Sequence, residues 1–187
     1  DVNHDGVINA SDKVDLGNGL PKYTFGFNVN LAWKGFDLSA NFTGAAGFQI
    51  AQSYRDPSSS QANYSRRILK RWTGEGTSNE IPRVTYGDVG NWLFSDLYLQ
   101  DGDYIRLQNL TMGYDFKKLI SWKGLSKMRL YFQVQNLFTL TKYDGMDPEI
   151  GSFNGTDGNS SDSWVSGVDM GYYPHPRTFI VGLNLAF

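Results

Sequence analysis

From Tyr23 to Trp33 the chain alternates without a break. Tyr23, Phe25, Phe27, Val29, Leu31 and Trp33 are apolar, and Thr24, Gly26, Asn28, Asn30 and Ala32 between them are small or polar. Successive side chains of an extended backbone point to opposite faces, so this run predicts a β-strand and not a helix. Lys34-Gly35 supplies a tight turn, and the alternation resumes with Phe36, Leu38, Ala40 and Phe42 against Asp37, Ser39 and Asn41. The pair predicts a long hairpin with one apolar face and one small, polar face. Three more strands are predicted over 104–116, over 128–138, and over the final stretch carrying Phe179, Val181, Leu183, Leu185 and Phe187. In the first of these, Leu110, Met112, Tyr114 and Phe116 share one phase, whereas Ile105 and Leu107 fall in the other. A β-bulge or a change of environment inside the strand accounts for the break. A sixth strand is a candidate near 92–99. The segment 62–72 is the only good helix candidate: Tyr64, Ile68, Leu69 and Trp72 fall near one face, with Arg66, Arg67, Lys70 and Arg71 around it. Contact with lipopolysaccharide phosphates or an anionic ligand is the functional reading of that basic face. A short loop helix with a solvated charged face is the simpler one.

The predicted strands are about ten residues long, the length a tilted strand needs to cross a bilayer, whereas globular strands run to about five or six. Their minority face is Asn, Gln, Gly, Ser, Thr and Asp, which suits a wet lumen better than a packed core. The connections read short, long, short, long: Lys34-Gly35, residues 43–103, residues 117–127 and residues 139–176. In an antiparallel meander alternate connections lie on one side. Transmembrane β-barrels of the bacterial outer membrane have short periplasmic turns and longer extracellular loops. Residues 1–22, 43–103 and 139–176 are therefore expected outside, and the last strand is expected to run inward to a periplasmic end. A soluble sandwich would also alternate, but its outer face would be charged, and the last strand carries no Lys, Arg, Asp or Glu after Arg177.

Composition sharpens this picture. Aromatics make up 15% of the 187 residues, charged residues only 19%, and the net charge is −2. Near-neutral charge argues against nucleic acid as a partner. Mean hydropathy is −0.41, and there is no apolar run of about 18 residues, so no transmembrane helix is expected; strands escape that test because alternation averages out. Cysteine is absent, which removes disulfides and thiolate chemistry. The first residues show no basic stretch followed by an apolar one, so no signal peptide is read there. Five clear strands are fewer than the eight of the smallest barrels, and two open sheet edges in hydrocarbon would leave backbone groups unpaired. The expectation is a part of a longer chain, or one barrel built from several copies. The start at Asp1, inside a motif, favours the former.

Ordered motifs then point to a family. The pieces are DVNHDGVINASDKVDLGNGLPKYTFGFNVNLAWKGFDLSANFTG, RWTGEG…IPR, DGDYIRLQNLTMGYDF, LYFQVQNLFTLTKYDGMDPEI and GVDMGYYPHPRTFIVGLNLAF. Together they cover nearly all of residues 1–187. The chain resembles the C-terminal end of the SusC/RagA class of TonB-dependent outer-membrane transporters of Bacteroidetes-type bacteria. The resemblance implies an all-β fold, the C-terminal strands of a large antiparallel transmembrane β-barrel that has 22 strands in the family. It also implies an N-terminal plug domain and TonB box, neither present in this chain, and a SusD/RagB-like lipoprotein lid. The implied function is import of oligosaccharides or peptides. The implied surroundings are the remainder of the transporter chain and outer-membrane lipids. The alternating strand that ends in Phe187 resembles the signal read by the outer-membrane barrel assembly machinery.

The sharpest local motif is Asp1-Val2-Asn3-His4-Asp5-Gly6-Val7-Ile8-Asn9-Ala10-Ser11-Asp12. Oxygen ligands at positions 1, 3 and 5, Gly at 6, a backbone carbonyl at 7 and an apolar residue at 8 match an EF-hand-type loop, and Ca²⁺ takes 6–8 such hard oxygens. The expected ligands are Asp1, Asn3, Asp5, Val7, Asn9 and Asp12, in a structural and not a catalytic role. Asp12 stands where the usual motif has Glu, as in the dockerin version. The competing reading is an ion-free loop of Asx turns. Trp92, Tyr143, Trp164, Tyr172 and Tyr173 lie in or beside the outer loops. They suit sugar stacking or interface anchoring, but girdle and loop packing is the simpler reading, so no substrate residue is assigned. Asp147 and Glu149 are adjacent carboxylates with a turn role as the default. Pro174 and Pro176 make a rigid entry to the last strand, and His175 between them reads as a loop residue. Residues 151–166, rich in Gly, Asn, Ser and Asp, read as a mobile segment or a lid contact. No catalytic motif is present, and no enzyme is expected. A secreted soluble calcium-binding β-domain that binds glycans is the alternative function.

Overall fold

The computed structural model describes residues 1–7, 9–53, 66–84, 94–120, 122–150 and 166–187. Among them the strands are β1 (Tyr23–Trp33), β2 (Phe36–Ala46), β3 (Gln49–Gln52), β4 (Leu99–Asp101), β5 (Tyr104–Asp115), β6 (Lys127–Thr141), β7 (Val168–Asp169) and β8 (Thr178–Ala186). The five long strands form one antiparallel sheet in the order β1-β2-β5-β6-β8, a meander in which each long strand pairs with the next. The short strands form a second sheet in the order β4-β3-β7, with β3 and β7 parallel.

The expected break of phase in β5 is a bulge at Gln108. On β2, Asn41 faces Asn109 while Phe42 faces Leu107, so Gln108 has no opposite residue. On β6 the pairing likewise jumps from Leu107–Phe138 to Asn109–Gln135, and Asn136 there takes a φ of 52°. Cross-strand partners share a face. Leu107 with Phe42 and Phe138, and Leu110 with Ala40 and Val134, therefore lie on the same side of the sheet. The extra residue returns Ile105 and Leu107 to the face of Leu110, Met112 and Tyr114. That face is apolar across all five strands and open: Trp33 is 68% exposed, Phe179 61% and Val181 71%.

The opposite face is polar and runs in rungs. Asn28, Asn41, Asn109, Gln135 and Thr178 are successive partners across the sheet. So are Ala32, Asp37, Gly113, Tyr131 and Gly182. Arg129 donates from Nε to Asp37 Oδ2 at 2.8 Å and makes a second bond from Nη2 to Oδ1. It reaches there over Gly113, whose missing side chain leaves the room: a Cβ would stand 2.6 Å from Arg129 Nε.

Four sequence expectations change. The connection expected over 43–103 starts later, because Thr43 and Ala45 continue the small inward face and β2 runs on to Ala46; β3 and β4 lie within it. The loop expected over 139–176 likewise begins after Thr141 and contains β7. The strand expected near 92–99 is not a barrel strand in its described part, where a 3₁₀ turn over Asp96–Tyr98 leads into the short β4. The helix expected over 62–72 is a 3₁₀ segment over Arg66–Lys70; residues 62–65, with Tyr64, lie outside the described residues. It stops there because the Trp72 N–H turns to the Ile81 carbonyl, at 2.8 Å, instead of continuing the helix.

The sheet has two unlike ends. At the turn end lie Lys34-Gly35 and residues 116–120 and 122–126, where Asp115 donates its N–H to the Gly35 carbonyl and Ser126 donates to Ala186. At the loop end the leading segment meets both long connections: the Gln49 N–H donates to the Asn18 carbonyl at 2.9 Å, and Gly19 lies against Ser166 and Gly167. Gly113→Ala in the complete protein should cost about 1–3 kcal/mol through displacement of the Arg129 guanidinium. The check is denaturant unfolding in detergent. Asp37→Asn should add little on top, because both changes break one ion pair; full additivity would contradict this.

Candidate functional site at the loop end

Arg106 sits on the inward face of β5 and is 3% exposed. A buried guanidinium needs charge-assisted partners, and it has three. Nε donates to Thr139 Oγ1 at 3.0 Å, Nη1 to Glu149 Oε2 at 2.8 Å, and Nη2 to Asp147 Oδ1. The second Asp147 oxygen accepts the His175 N–H at 3.1 Å and lies 3.2 Å from His175 Nδ1. Oδ1 also accepts the Glu149 N–H at 2.9 Å, so the turn expected of the DPE stretch is present with a clamp added. Burial alone raises the Asp147 carboxyl; the N–H groups of Glu149 and His175, the His175 ring and the Arg106 charge outweigh it and hold the group below the usual carboxylate range. The cluster fastens the start and end of the connection between β6 and β8 onto the wall.

A second fastening lies beside it. Tyr143 is 5% exposed and its hydroxyl bonds Asp169, which is 1% exposed. The other Asp169 oxygen accepts the N–H groups of Gly171 and Tyr172 at 2.8 and 3.0 Å. Ala45, Phe48, Ile50 and Tyr143 form an apolar core, with Tyr104 and Ile150 packed against it. Thr141 donates from Oγ1 to the Asp103 carbonyl at 2.8 Å, and Asp103 accepts the Gly47 N–H. Tyr143 is therefore a core residue and not a stacking platform. Tyr172 and Tyr173 remain exposed, the latter at 83%. Trp92, Trp164 and residues 151–165 lie outside the described residues.

The leading loop is closed by its own side chains. Asp1 Oδ1 and Asn3 Oδ1 both accept the Asp5 N–H, at 3.0 and 3.1 Å, and Asp1 Oδ2 accepts the Gly6 N–H at 2.9 Å. Asp5 accepts the Val7 N–H, and Asn9 accepts the Ser11 N–H. Asp12 accepts the N–H groups of Asn9 and Val2, at 2.7 and 2.8 Å; these bonds, Asn9's first, hold its carboxyl below the ordinary value. Gly6 has a φ of 83°, the left-handed conformation that the turn at this position requires. Among the described residues, no three acidic, His or Cys side chains gather to hold a metal ion, and Ile8 is not described.

Sequence reasoning passes over Arg106. Its one local signal is a charged residue on the inward face of a strand otherwise lined there by small and polar side chains. Arg106→Met should leave Asp147 buried without its counter-charge, at a cost of about 3–5 kcal/mol. A nitroxide label at Met146→Cys should report a freed loop in that variant. Because the folded carboxyl titrates below its unfolded value, the fastening is complete above about pH 4 and is lost as pH falls through the depressed value. The same label should show this release on acidification. An immobile label in both experiments would contradict the clamp.

Comparison with known proteins gives this geometry relatives. No protein-family model matches the chain. It is 35% identical over 189 residues to TonB-dependent receptor P3 of Formosa agariphila, covering 100% of this chain and 18% of that protein. It is 29% identical over 191 residues to TonB-dependent receptor SusC of Bacteroides thetaiotaomicron, covering 100% of this chain and 17% of that one. The solved RagAB peptide transporter matches with a TM-score of 0.71 at 24% identity, over 92% of this chain and 18% of that one. The RagAB peptide importer in its closed-closed state matches with a TM-score of 0.69 at 22% identity, over 98% and 20%. The chain thus spans less than a fifth of the length of the curated relatives it matches. Barrel strands, an apolar outer face and these relatives agree: the chain belongs to the SusC/RagA family of TonB-dependent receptors, bacterial outer-membrane proteins, and is part of their barrel wall.

Proposed function

We propose that this chain supplies the last strands of the barrel wall, and two outer loops, to a TonB-dependent importer of oligosaccharides or peptides. The observation that carries this reading is the five-stranded sheet with one continuous apolar face and one face of amide, hydroxyl and glycine rungs. Such a sheet separates lipid from a wet passage. Its edges β1 and β8 pair with the remainder of the transporter chain, since open edges are prohibitive in hydrocarbon. The loop end is extracellular and the turn end periplasmic. Cargo is caught between the outer loops and a SusD/RagB-like lipoprotein lid, and TonB acts through an N-terminal part outside this chain. RagAB, which shares the fold, is a peptide importer; the family resemblance adds oligosaccharides as the second cargo class. The fastened β6–β8 connection gives the lid a fixed rim. An outer-membrane family sets aside the secreted soluble glycan-binding domain.

The test is uptake by whole cells of labelled oligosaccharides and labelled peptides. Deletion of the complete receptor gene, or of TonB, should abolish uptake of one class, and the full-length gene should restore it. Undiminished uptake of both classes in the deletion strain would overturn the proposal.

We also propose that the leading loop takes a structural Ca²⁺. Asp1, Asn3, Asp5, the Val7 carbonyl, Asn9 and Asp12 would hold it. Support comes from the ligand spacing and from the oxygens of Asp1 and Asn3 meeting at one amide. The acidic side chains do not gather by themselves, so the ligand set depends on the Asn3 and Asn9 oxygens and the Val7 carbonyl. An ion there would stiffen residues 1–22 on the extracellular side. Calorimetry on the complete receptor should show one calcium site, weakened at least tenfold by Asp5→Asn. No heat at millimolar calcium would refute it.

A further inference from the structure

The charge of this chain is divided between the two ends of its sheet. Five of the nine lysines, Lys34, Lys117, Lys118, Lys123 and Lys127, lie in or beside the two short turns. Counted along the sequence with Arg129, and against Asp37 and Asp115 in the same stretches, they give a side-chain surplus of +4 in a chain whose net charge is −2. Arg129 and Asp37 bond each other on the inward face, and Asp115 accepts the Lys117 N–H. Among the described residues, Lys34, Lys117, Lys123 and Lys127 form no ion pair with an acidic side chain.

The same end carries aromatic side chains on the outward face. Phe36 packs on Tyr114 with ring centroids 4.3 Å apart, Tyr114 meets Phe116 edge-on at 4.9 Å, and Trp122 meets Phe187 edge-on at 6.3 Å. Lys34 Nζ lies 4.9 Å from the Trp33 ring centroid, and Lys117 Nζ donates to the Trp122 carbonyl at 2.7 Å. Both ammonium groups are thus held beside the aromatic belt. Between the rings runs a shallow apolar groove of about 260 Å³, lined by Phe36, Met112, Tyr114, Phe116, Leu130 and Phe132. Lys34 is two residues before Phe36 and Lys117 directly follows Phe116, so both lysines stand in sequence at the turn end of the groove, with their ammonium groups at Trp33 and Trp122, and only apolar side chains line it deeper along β5 and β6.

We propose that this groove is a site for one anionic glycerophospholipid of the inner leaflet. An acyl chain lies along Met112, Leu130 and Phe132, and the phosphate sits between Lys34 and Lys117. Charge complementarity selects the headgroup: an apolar chain alone would be satisfied by any lipid, whereas two ammonium groups at the interface favour a net-negative one. A protein partner at this face would have to cover an apolar surface inside the membrane and would gain nothing from the lysines at its rim. The inference rests on the topology proposed above, in which the turn end faces the periplasm.

Native mass spectrometry of the complete receptor released from detergent tests it. Phosphatidylglycerol should be retained at least fivefold more than phosphatidylcholine of the same chains, and inorganic phosphate should not compete. Lys34→Gln with Lys117→Gln should remove the preference, while Lys13→Gln with Lys22→Gln, at the loop end, should leave it intact. Equal retention of the two lipids, or a preference untouched by the first pair, would overturn the site. Topology is read separately from Lys123→Cys and an impermeant maleimide. Labelling only after the outer membrane is permeabilised is expected; labelling of intact cells would overturn the topology itself.

Discussion

A strand that crosses hydrocarbon has no water to receive its N–H and C=O groups. Each must find a partner on a neighbouring strand, and each side chain must face either lipid or the interior. Two-residue periodicity makes these two demands one. Once the ladder is formed, every second residue is committed to lipid, and a single change of phase would bury a polar row in the bilayer. The Gln108 bulge shows the constraint at work. Ile105 and Leu107 stand in the wrong phase for Leu110 and Met112, and one unpaired residue restores them to the apolar side. On β6 the strained backbone at Asn136 makes the matching adjustment.

Beyond the hydrocarbon the constraint relaxes, and different forces shape the two ends. At the loop end, long connections must be held over the mouth, and the structure does this with buried charge. Arg106, a cation on the inward face, is neutralised from the loop above it by Asp147 and Glu149, and Asp147 in turn gathers His175 at the entry to β8. Breaking such a cluster is costly because it leaves one charge unpaired, so the loop has a defined seat. At the turn end the connections are too short to need a seat, and lysines and aromatics meet the interface directly. The wall thus has one end with fastened connections and one end with lysines set among aromatic rings.

The legibility of this fold in sequence follows from the same physics. The five long strands are readable because alternation is local; β1 has the same limits by pattern and by structure. The bulge is readable as a break in phase, though not as Gln108 in particular. Arg106 escapes because its partners lie 41 and 43 residues away and nothing near it in the chain announces them. Tyr143 is legible only in part. Loop packing is the simpler reading of an aromatic there and the structure buries it, but nothing local announces that its hydroxyl bonds Asp169, 26 residues on. The basic segment around Arg66 has an amphipathic pattern, but the bond from Trp72 to Ile81 draws the chain away before a helix can extend.

The central claim is that one apolar face runs unbroken through the bulge. Single nitroxide labels at residues 105, 107, 109, 110, 111 and 112 of the complete receptor in bilayers test it through their relative accessibility to oxygen and to a polar nickel chelate. Oxygen should dominate at 105, 107, 110 and 112, and the chelate at 109 and 111, with the phase changing across Gln108. A single alternation through all six positions, or oxygen and chelate reaching both faces alike, would contradict the account.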